Sequence, residues 1–245
     1  MIRICDVSIS FDELPILTNI NIEIAKGELL VLLGKNGCGK SVLMKSIVGL
    51  IQNYSGSIFI HDNNIQYIRD QQECMSIFGY VFQKGGLFDS MSVYDNIAFG
   101  MRRNNVDEDT IRTTITQLLA RVGLQGSEDK APSELSGGMQ KRVGLARAIC
   151  QNPEIILYDD PTAGLDPILS DSIADLIIDI KHNYKTTSIV ATHDLKVARK
   201  IADRVALIYD KNIVFSGYSD EFFSNYNEYA RQFNNGDIEG PIDIF

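Results

Sequence analysis

Long apolar runs are missing from this 245-residue chain. No stretch approaches the roughly 18 consecutive apolar residues a membrane-spanning helix needs. Cysteine is scarce: Cys5, Cys38, Cys74 and Cys150 are the only four, and no two stand at metal-ligand spacing. That scatter excludes a zinc ribbon or a disulfide scaffold and predicts reduced thiols in a cytosolic protein. Excess positive charge is absent too. Lys and Arg number 23 against 32 Asp and Glu, a net charge of -9 with a pI near 4.8. This argues against a basic nucleic-acid-binding face. The first residues, MIRICDVSISFDELPIL, carry Asp6, Asp12 and Glu13, and lack the apolar core and cleavage site of a secretory signal. Neither an internal repeat nor a low-complexity linker divides the chain. What is present, 44% hydrophobic and 22% charged residues, is ordinary globular composition. The length suits one domain, or one domain with a lobe.

Short β-like runs open the chain at Ile2 to Ser8, Leu17 to Ile24 and Leu29 to Leu33, with a further one at Ser57 to Ile60. So much β structure around the first helix exceeds what a doubly wound fold needs, and predicts an antiparallel layer joined to an α/β core. Helices are expected over 41–50, over 92–125 with a break at 102–106, from Ser136 to Ile149, over 168–182 and over 197–201. Between them, 77–83, Ile155 to Tyr158 and Thr187 to Thr192 read as buried strands, followed by a hairpin of Val205 to Tyr209 with Ile213 to Phe215. The tail from Asn234 holds two glycines and a proline with little periodicity, and reads as an extended arm.

Gly34-Lys35-Asn36-Gly37-Cys38-Gly39-Lys40-Ser41 fits the pattern GxxxxGK[ST]. It follows the apolar run LLVLL and precedes the helical pattern SVLMKSIVGL, the context that gives this motif meaning. Glycines let backbone N–H groups turn inward around phosphates, and a helix N-terminus adds a favourable dipole. Lys40 is expected to reach the β and γ phosphates, and Ser41 to place its hydroxyl on Mg²⁺. Asp159 closes the run IILY, so a buried parallel strand delivers a carboxylate at its C-terminal end, where ligands bind in such sheets. Asp159 is expected at the Mg²⁺.

These residues resemble the ABC ATPase family. Leu135-Ser136-Gly137-Gly138-Met139-Gln140 looks like its signature, which P-loop kinases and GTPases lack. Gln83 stands where that family has its Q-loop glutamine. Asp159-Asp160-Pro161-Thr162-Ala163-Gly164-Leu165-Asp166 looks like the second nucleotide motif running into the D-loop. His193 resembles the switch histidine, and Phe11 the aromatic residue that stacks on adenine. The resemblance covers about residues 2 to 220 and implies a P-loop NTPase of the ABC ATPase type, with a RecA-like core, an antiparallel β layer and a helical subdomain at about 88–150. Residues 221–245 would be a C-terminal extension that steadies a dimer. It implies ATP and Mg²⁺ as ligands. Phe11, Gly34, Asn36, Gly37, Cys38, Gly39, Lys40 and Ser41 would hold the nucleotide in one subunit. Ser136, Gly137, Gly138, Gln140 and Asp166 would close on it from the other, sandwiching two ATP molecules in a homodimer. Ser41, Gln83 and Asp159 would serve the metal, and Asp160, His193, Gln83 and Lys40 the chemistry.

One position departs from the family pattern. The residue after the metal-associated Asp is usually Glu, which polarises the attacking water; here it is Asp160, one methylene shorter. Catalytic positions are sensitive to about 1 Å. Asp160 is therefore read as the general base or water-orienting carboxylate at reduced reach, the competing readings being that His193 and Gln83 position the water, or that the chain is a slow ATPase working mainly as an ATP-gated clamp.

The stretch Phe82 to Ile97, with Gln83-Lys84-Gly85-Gly86-Leu87-Phe88, is similar to the ATPases of MCE-type lipid transporters, including the system that maintains outer-membrane lipid asymmetry and relatives once called toluene-tolerance or ribonucleotide-uptake proteins. Arg231-Gln232-Phe233, Gly236 and Glu239-Gly240-Pro241 resemble the C-terminal arm of that subfamily. This implies a peripheral protein on the cytoplasmic face of the inner membrane, docked to two copies of a multi-pass permease, with a periplasmic MCE substrate-binding protein and a small STAS-domain regulator as further partners. Leu87, Phe88 and Met91 would form part of the permease contact, and Phe233 and Phe245 part of the dimer arm. An importer ATPase for amino acids, metals or another small solute shares every catalytic motif. A non-transport ABC protein of translation or DNA repair is the more distant alternative.

Overall fold

The computed structural model describes residues 1–67 and 76–243. Cys74 and Phe245 lie outside the described residues. The chain begins with a hairpin of β1 (Ile2–Phe11) and β2 (Leu14–Ile24), joined by Asp12 and Glu13, both at positive φ. Two left-handed residues make the tight turn whose twist matches the flanking strands. β3 (Leu29–Leu33) then leaves for a second sheet and runs through a glycine-rich loop into α1 (Lys40–Ile47). β4 (Tyr54–Ile60) and the short β5 (Asn63–Asn64) return to the first sheet, which has the antiparallel order β2-β1-β4-β5.

β6 (Phe78–Val81) starts the second half, followed by three helices, α2 (Val93–Arg103), α3 (Glu108–Arg121) and α4 (Gly137–Ile149). The expected break falls at Asn104 to Asp107, where Asn105 takes a positive φ. Ser92 and Asp107 cap α2 and α3, accepting from the Asp95 and Thr110 amides; such caps contribute about 1 kcal/mol each. The chain then alternates: β7 (Ile155–Asp159), α5 (Pro167–Tyr184), β8 (Thr187–Ala191), α6 (Leu195–Ile201) and β9 (Arg204–Tyr209). β10 (Asn212–Tyr218) pairs antiparallel with β9, and the short α7 (Ser219–Phe223) and α8 (Glu228–Asn235) close the chain.

The second sheet has the order β10-β9-β3-β8-β7-β6, parallel except for β10. Its central strands β3, β7 and β8 are buried on both faces, which is why they read as unbroken apolar runs rather than alternating ones. Leu29, Val31 and Leu33 face a core shared with α2 to α6, while Leu30 and Leu32 face a core shared with α1 and the antiparallel sheet. Register decides what meets at the sheet's edge. Leu32 is opposite Ala191, Asp159 is opposite Ala191, and Val81 is opposite Tyr158. Residues 34, 82, 160 and 192 therefore emerge side by side, at the carboxyl ends of four strands.

The tail read as an extended arm turns back on its own body. Gly236 ends α8 at φ +71, and the buried amide of Gln232 then clasps Ile242, donating to its carbonyl (2.9 Å) and accepting from its N–H (2.6 Å). Ile242 joins the core, and the Asp243 N–H donates to the Tyr209 hydroxyl at 2.7 Å. The reversal was hidden because it hangs on one amide meeting a backbone ten residues away. Among the described residues, no helix is long and apolar enough to cross a membrane.

Candidate functional site

The loop from Gly34 to Gly39 wraps the start of α1. Gly34 and Gly39 sit at φ +149 and +103. A Cβ on Gly34 would lie 2.6 Å from both Cys38 Sγ and the Ile208 carbonyl oxygen, so only glycine fits there. Lys40 is nearly buried, and its ammonium donates to the Gly34 and Lys35 carbonyls at 2.7 and 3.0 Å. A cation is thus held over the mouth of a ring of backbone amides. Burial raises the Cys38 thiol above its ordinary pKa, only partly offset by Lys40, which keeps it in the unreactive thiol form. Lys35 turns outward: its ammonium reaches the Asp243 carbonyl and stands over the Tyr209 ring. The tail therefore touches the phosphate loop's flank, a contact no local pattern announced.

Ser41 donates its hydroxyl to Asp159 Oδ1 at 2.6 Å. The other carboxylate oxygen accepts from the Tyr80 hydroxyl at 3.1 Å. Burial and the Asp159 charge both push the Tyr80 phenol upward in pKa, so it stays a protonated donor. Tyr80 escaped the sequence reading, although a hydroxyl inside an otherwise apolar buried strand was a visible clue. A hydroxyl and a carboxylate oxygen side by side at the mouth of a phosphate loop are the hard oxygen donors Mg²⁺ prefers, with its remaining positions left for water and phosphate. The residues fit that ion.

Asp160 adopts φ +47, a left-handed conformation that Asp tolerates better than most residues. Its N–H donates to the Ala191 carbonyl at 2.8 Å, and its carboxylate lies 3.0 Å from His193 Nδ1. An ionised carboxylate only accepts, so the histidine proton sits on Nδ1 and Nε2 is left free. His193 is half exposed whereas Asp160 is buried. Asp160 and His193 thus form one unit, brought together by the pairing of β7 with β8. Lys141, on α4, is buried beneath them, donating to the Gln83 carbonyl at 3.0 Å and approaching the Asp160 carbonyl at 3.4 Å. Burial lowers its pKa, and the nearby Asp160 charge works in the opposite direction. The sequence reading missed Lys141 as well; the clue was a lysine on the apolar face of α4, between Gly138 and Gly144.

Not every residue named from sequence converges on this loop within one chain. Gln83 follows β6 with its side chain exposed. Phe11 ends β1 and is largely exposed rather than packed in the core. Ser136 caps α4, accepting from the Met139 amide at 3.3 Å, with Gly137 exposed beside it. Gly138 packs against Leu169, and the Gln140 amide is turned inward to the Pro132 carbonyl at 2.9 Å. Asp166 caps α5 by accepting from the Ile168 and Leu169 amides. Among the described residues, no hydrogen bond joins Ser136 or Gly137 to the chain's own phosphate loop.

A parallel sheet ending in a phosphate loop, with a serine–carboxylate pair beside it, defines a P-loop nucleotide-binding protein. The ABC transporter family matches residues 17–163, and the chain belongs to that family. The chain is similar to the probable ribonucleotide transport ATP-binding protein mkl of Mycobacterium tuberculosis, 40% identical over 236 residues, 95% of this chain and 66% of the relative. It therefore spans just under two thirds of the length of that relative. The intermembrane phospholipid transport system ATP-binding protein MlaF of Haemophilus influenzae is 34% identical, covering 99% of this chain and 93% of that one. Among solved structures, the dimeric post-hydrolysis state of the ATP-binding cassette MJ0796 with ADP and Pi superposes with a TM-score of 0.80 at 28% identity, over 89% of this chain and 99% of that one.

Proposed function

We propose that this chain energises the movement of phospholipid between membranes, as a homodimer on the cytoplasmic face of an inner membrane. The observation that carries the reading is the similarity to MlaF along nearly the full length of both chains, including the tail. Each site would take ATP on the loop 34–41, with Phe11 against the base and Ser41, Asp159 and Gln83 around Mg²⁺. When bound, that ion would neutralise charge on the β and γ phosphates. Lys40 holds the same oxygens, and Asp160, oriented by His193, aligns water and accepts its proton.

The partner's Mg²⁺-free contribution is the signature turn. The amide of the exposed Gly137 and the dipole of α4 favour an anion, and among the described residues Ser136 and Gly137 make no hydrogen bond to their own loop. This supports a role across the dimer, as does the similarity to a dimeric cassette. Mixing a Lys40→Ala subunit with a Ser136→Arg subunit tests it. One composite site then carries both defects and the other carries neither. ATP-dependent closure at the intact site, read by sedimentation with a non-hydrolysable ATP analogue, is expected; mixtures as inactive as either parent mutant would refute the sandwich.

The docking face for the multi-pass permease would be the segment Lys84 to Val93 with α2. Phe88 and Phe99 pack ring on ring at 5.0 Å, yet remain 42% and 44% exposed, and Met91 borders them. An exposed apolar patch of this kind marks a partner surface. The periplasmic MCE protein would then be reached through the permease, and a STAS-domain regulator would bind the ATPase. Residues 221–245 would steady the dimer while bracing the phosphate loop through Lys35.

The lipid assignment is tested by purifying the chain with its permease and analysing bound lipid by mass spectrometry, alongside ATP hydrolysis in vesicles. Co-purifying phospholipid that stimulates turnover is expected. Stimulation by a soluble amino acid or metal, with none by phospholipid, would replace this reading with that of a solute importer.

A further inference from the structure

One face of α4 is keyed to the loop that follows Gln83. Lys141 donates to the Gln83 carbonyl at 3.0 Å, and Arg147 Nη1 donates to the Gly86 carbonyl at 2.7 Å. Between them, a Cβ on Gly144 would stand 3.0 Å from the Gly85 carbonyl oxygen, so the helix backbone lies flush on the loop. These three residues are three apart in sequence and share a side of the helix. Arg147 also stands over the Phe88 ring, at the outer end of the loop.

Lys141 is the inner end. It is 7% exposed, and its ammonium lies between the carbonyls of Gln83 and Asp160, the residues that follow β6 and β7. Every other polar group of Asp160 is already held: its N–H by Ala191, its carboxylate by His193. A non-glycine residue in a left-handed conformation persists where its surroundings over-determine it, and the Asp160 carbonyl, which accepts from the Ala163 N–H at 3.1 Å, takes Lys141 as a second donor at 3.4 Å. A buried cation is costly unless it is well paired, so its placement here, where a glutamine or methionine of similar length would also fill space, calls for a role beyond packing.

We propose that Lys141 is a positioning residue for hydrolysis, holding the Gln83 and Asp160 carbonyls at a set separation and thereby fixing where the Asp160 carboxylate points. The same helix begins with the Ser136–Gly137 turn. A movement of α4 on closing against a partner's nucleotide therefore carries Lys141 with it, and hydrolysis becomes competent only when α4 is seated. The inference rests on the reading of Asp160 as the water-orienting carboxylate.

The test uses the full-length chain in its permease complex and measures phosphate release against ATP concentration, together with binding of a non-hydrolysable ATP analogue. Lys141→Met keeps the stem and removes the donors. It is expected to lower kcat about 10- to 100-fold, the scale of a misplacement near 1 Å, while KM and analogue affinity stay within about threefold, the pattern of an interaction made only in the transition state. Lys141→Arg, which restores a buried cation, is expected to recover most of the rate. A parent kcat in Lys141→Met overturns the proposal. So does a joint loss of affinity and kcat that arginine fails to rescue, since that is what a packing role produces. If Lys141→Met does not fold, Lys141→Leu, likewise without a donor, is judged by the same criteria. Asp160→Asn run in parallel separates the two claims. Parent-rate hydrolysis there removes the reading of Asp160 and this inference with it. Lost hydrolysis there, with a parent rate in Lys141→Met, leaves Asp160 standing and removes Lys141 alone.

Discussion

Replacing Lys40 by alanine is expected to lower nucleotide affinity and hydrolysis together, with turnover falling about 100-fold or more, the scale of losing one preorganised charge-stabilising donor. The structure explains why the loss should be large. The Lys40 ammonium is nearly buried and rests on two carbonyls of its own loop, Gly34 and Lys35, so it is held at the mouth of the amide ring before any phosphate arrives. A donor that needs no rearrangement stabilises developing charge without a reorganisation cost. Alanine takes the Lys40 donor from both carbonyls, of which that of Lys35 keeps the Cys38 N–H at 3.3 Å, and leaves the ring without its cation. Lys35, the other lysine of the loop, points to Asp243 and cannot replace it. Isothermal titration with ATP and a phosphate-release assay measure the two effects; near-parent hydrolysis would remove loop 34–41 as the site.

Asp160→Asn is expected to abolish turnover, by about 10²- to 10⁴-fold, the usual contribution of general acid–base catalysis, or roughly 3–5 kcal/mol of barrier at 1.36 kcal/mol per decade. Binding of ATP should survive, trapping the closed dimer. Asparagine suits this test because the site barely notices its shape. It tolerates the left-handed backbone as Asp does, and its amide oxygen can still accept from His193 Nδ1. The ability to take a proton is lost together with the negative charge that faces Lys141. Asp160→Glu extends the carboxylate by one methylene and is expected to keep turnover at or above the parent rate. The measurement is steady-state phosphate release by the permease-bound complex beside ATP affinity. Parent-rate hydrolysis in Asp160→Asn would pass the role to His193 and Gln83.

The two residues that sequence reading missed share a cause. Tyr80 acts through a bond to Asp159, 79 residues away, and Lys141 through bonds to the Gln83 and Asp160 carbonyls, 58 and 19 residues away. Their types, a tyrosine in a buried strand and a lysine on a buried helix face, were legible. Their targets were not, because a target depends on which strands are neighbours and in what register. The tail shows the same limit. Its composition marks an aperiodic segment, but whether it leaves the body or returns is decided by Gln232 meeting Ile242 and by Ile242 finding a place in the core.

By itself the amino-acid order determined the glycine-rich loop 34–39, the buried parallel strands on either side of it, the helix start after Ser136, a helix from about residue 168, and the carboxylates at the end of β7. These are local: each depends on propensity, apolar patterning and turn chemistry within about ten residues, the range over which such preferences act. Only the tertiary structure decided that Asp160 pairs with His193, that Ser41 and Tyr80 divide the two oxygens of Asp159, that α4 rests on the loop after Gln83, and that, among the described residues, no hydrogen bond joins Ser136 or Gly137 to the loop 34–41. Those arrangements follow from strand order and register. In a sheet where Asp159 lies opposite Ala191, residues 160 and 193 must meet, and a slip of one residue would turn each side chain to the other face.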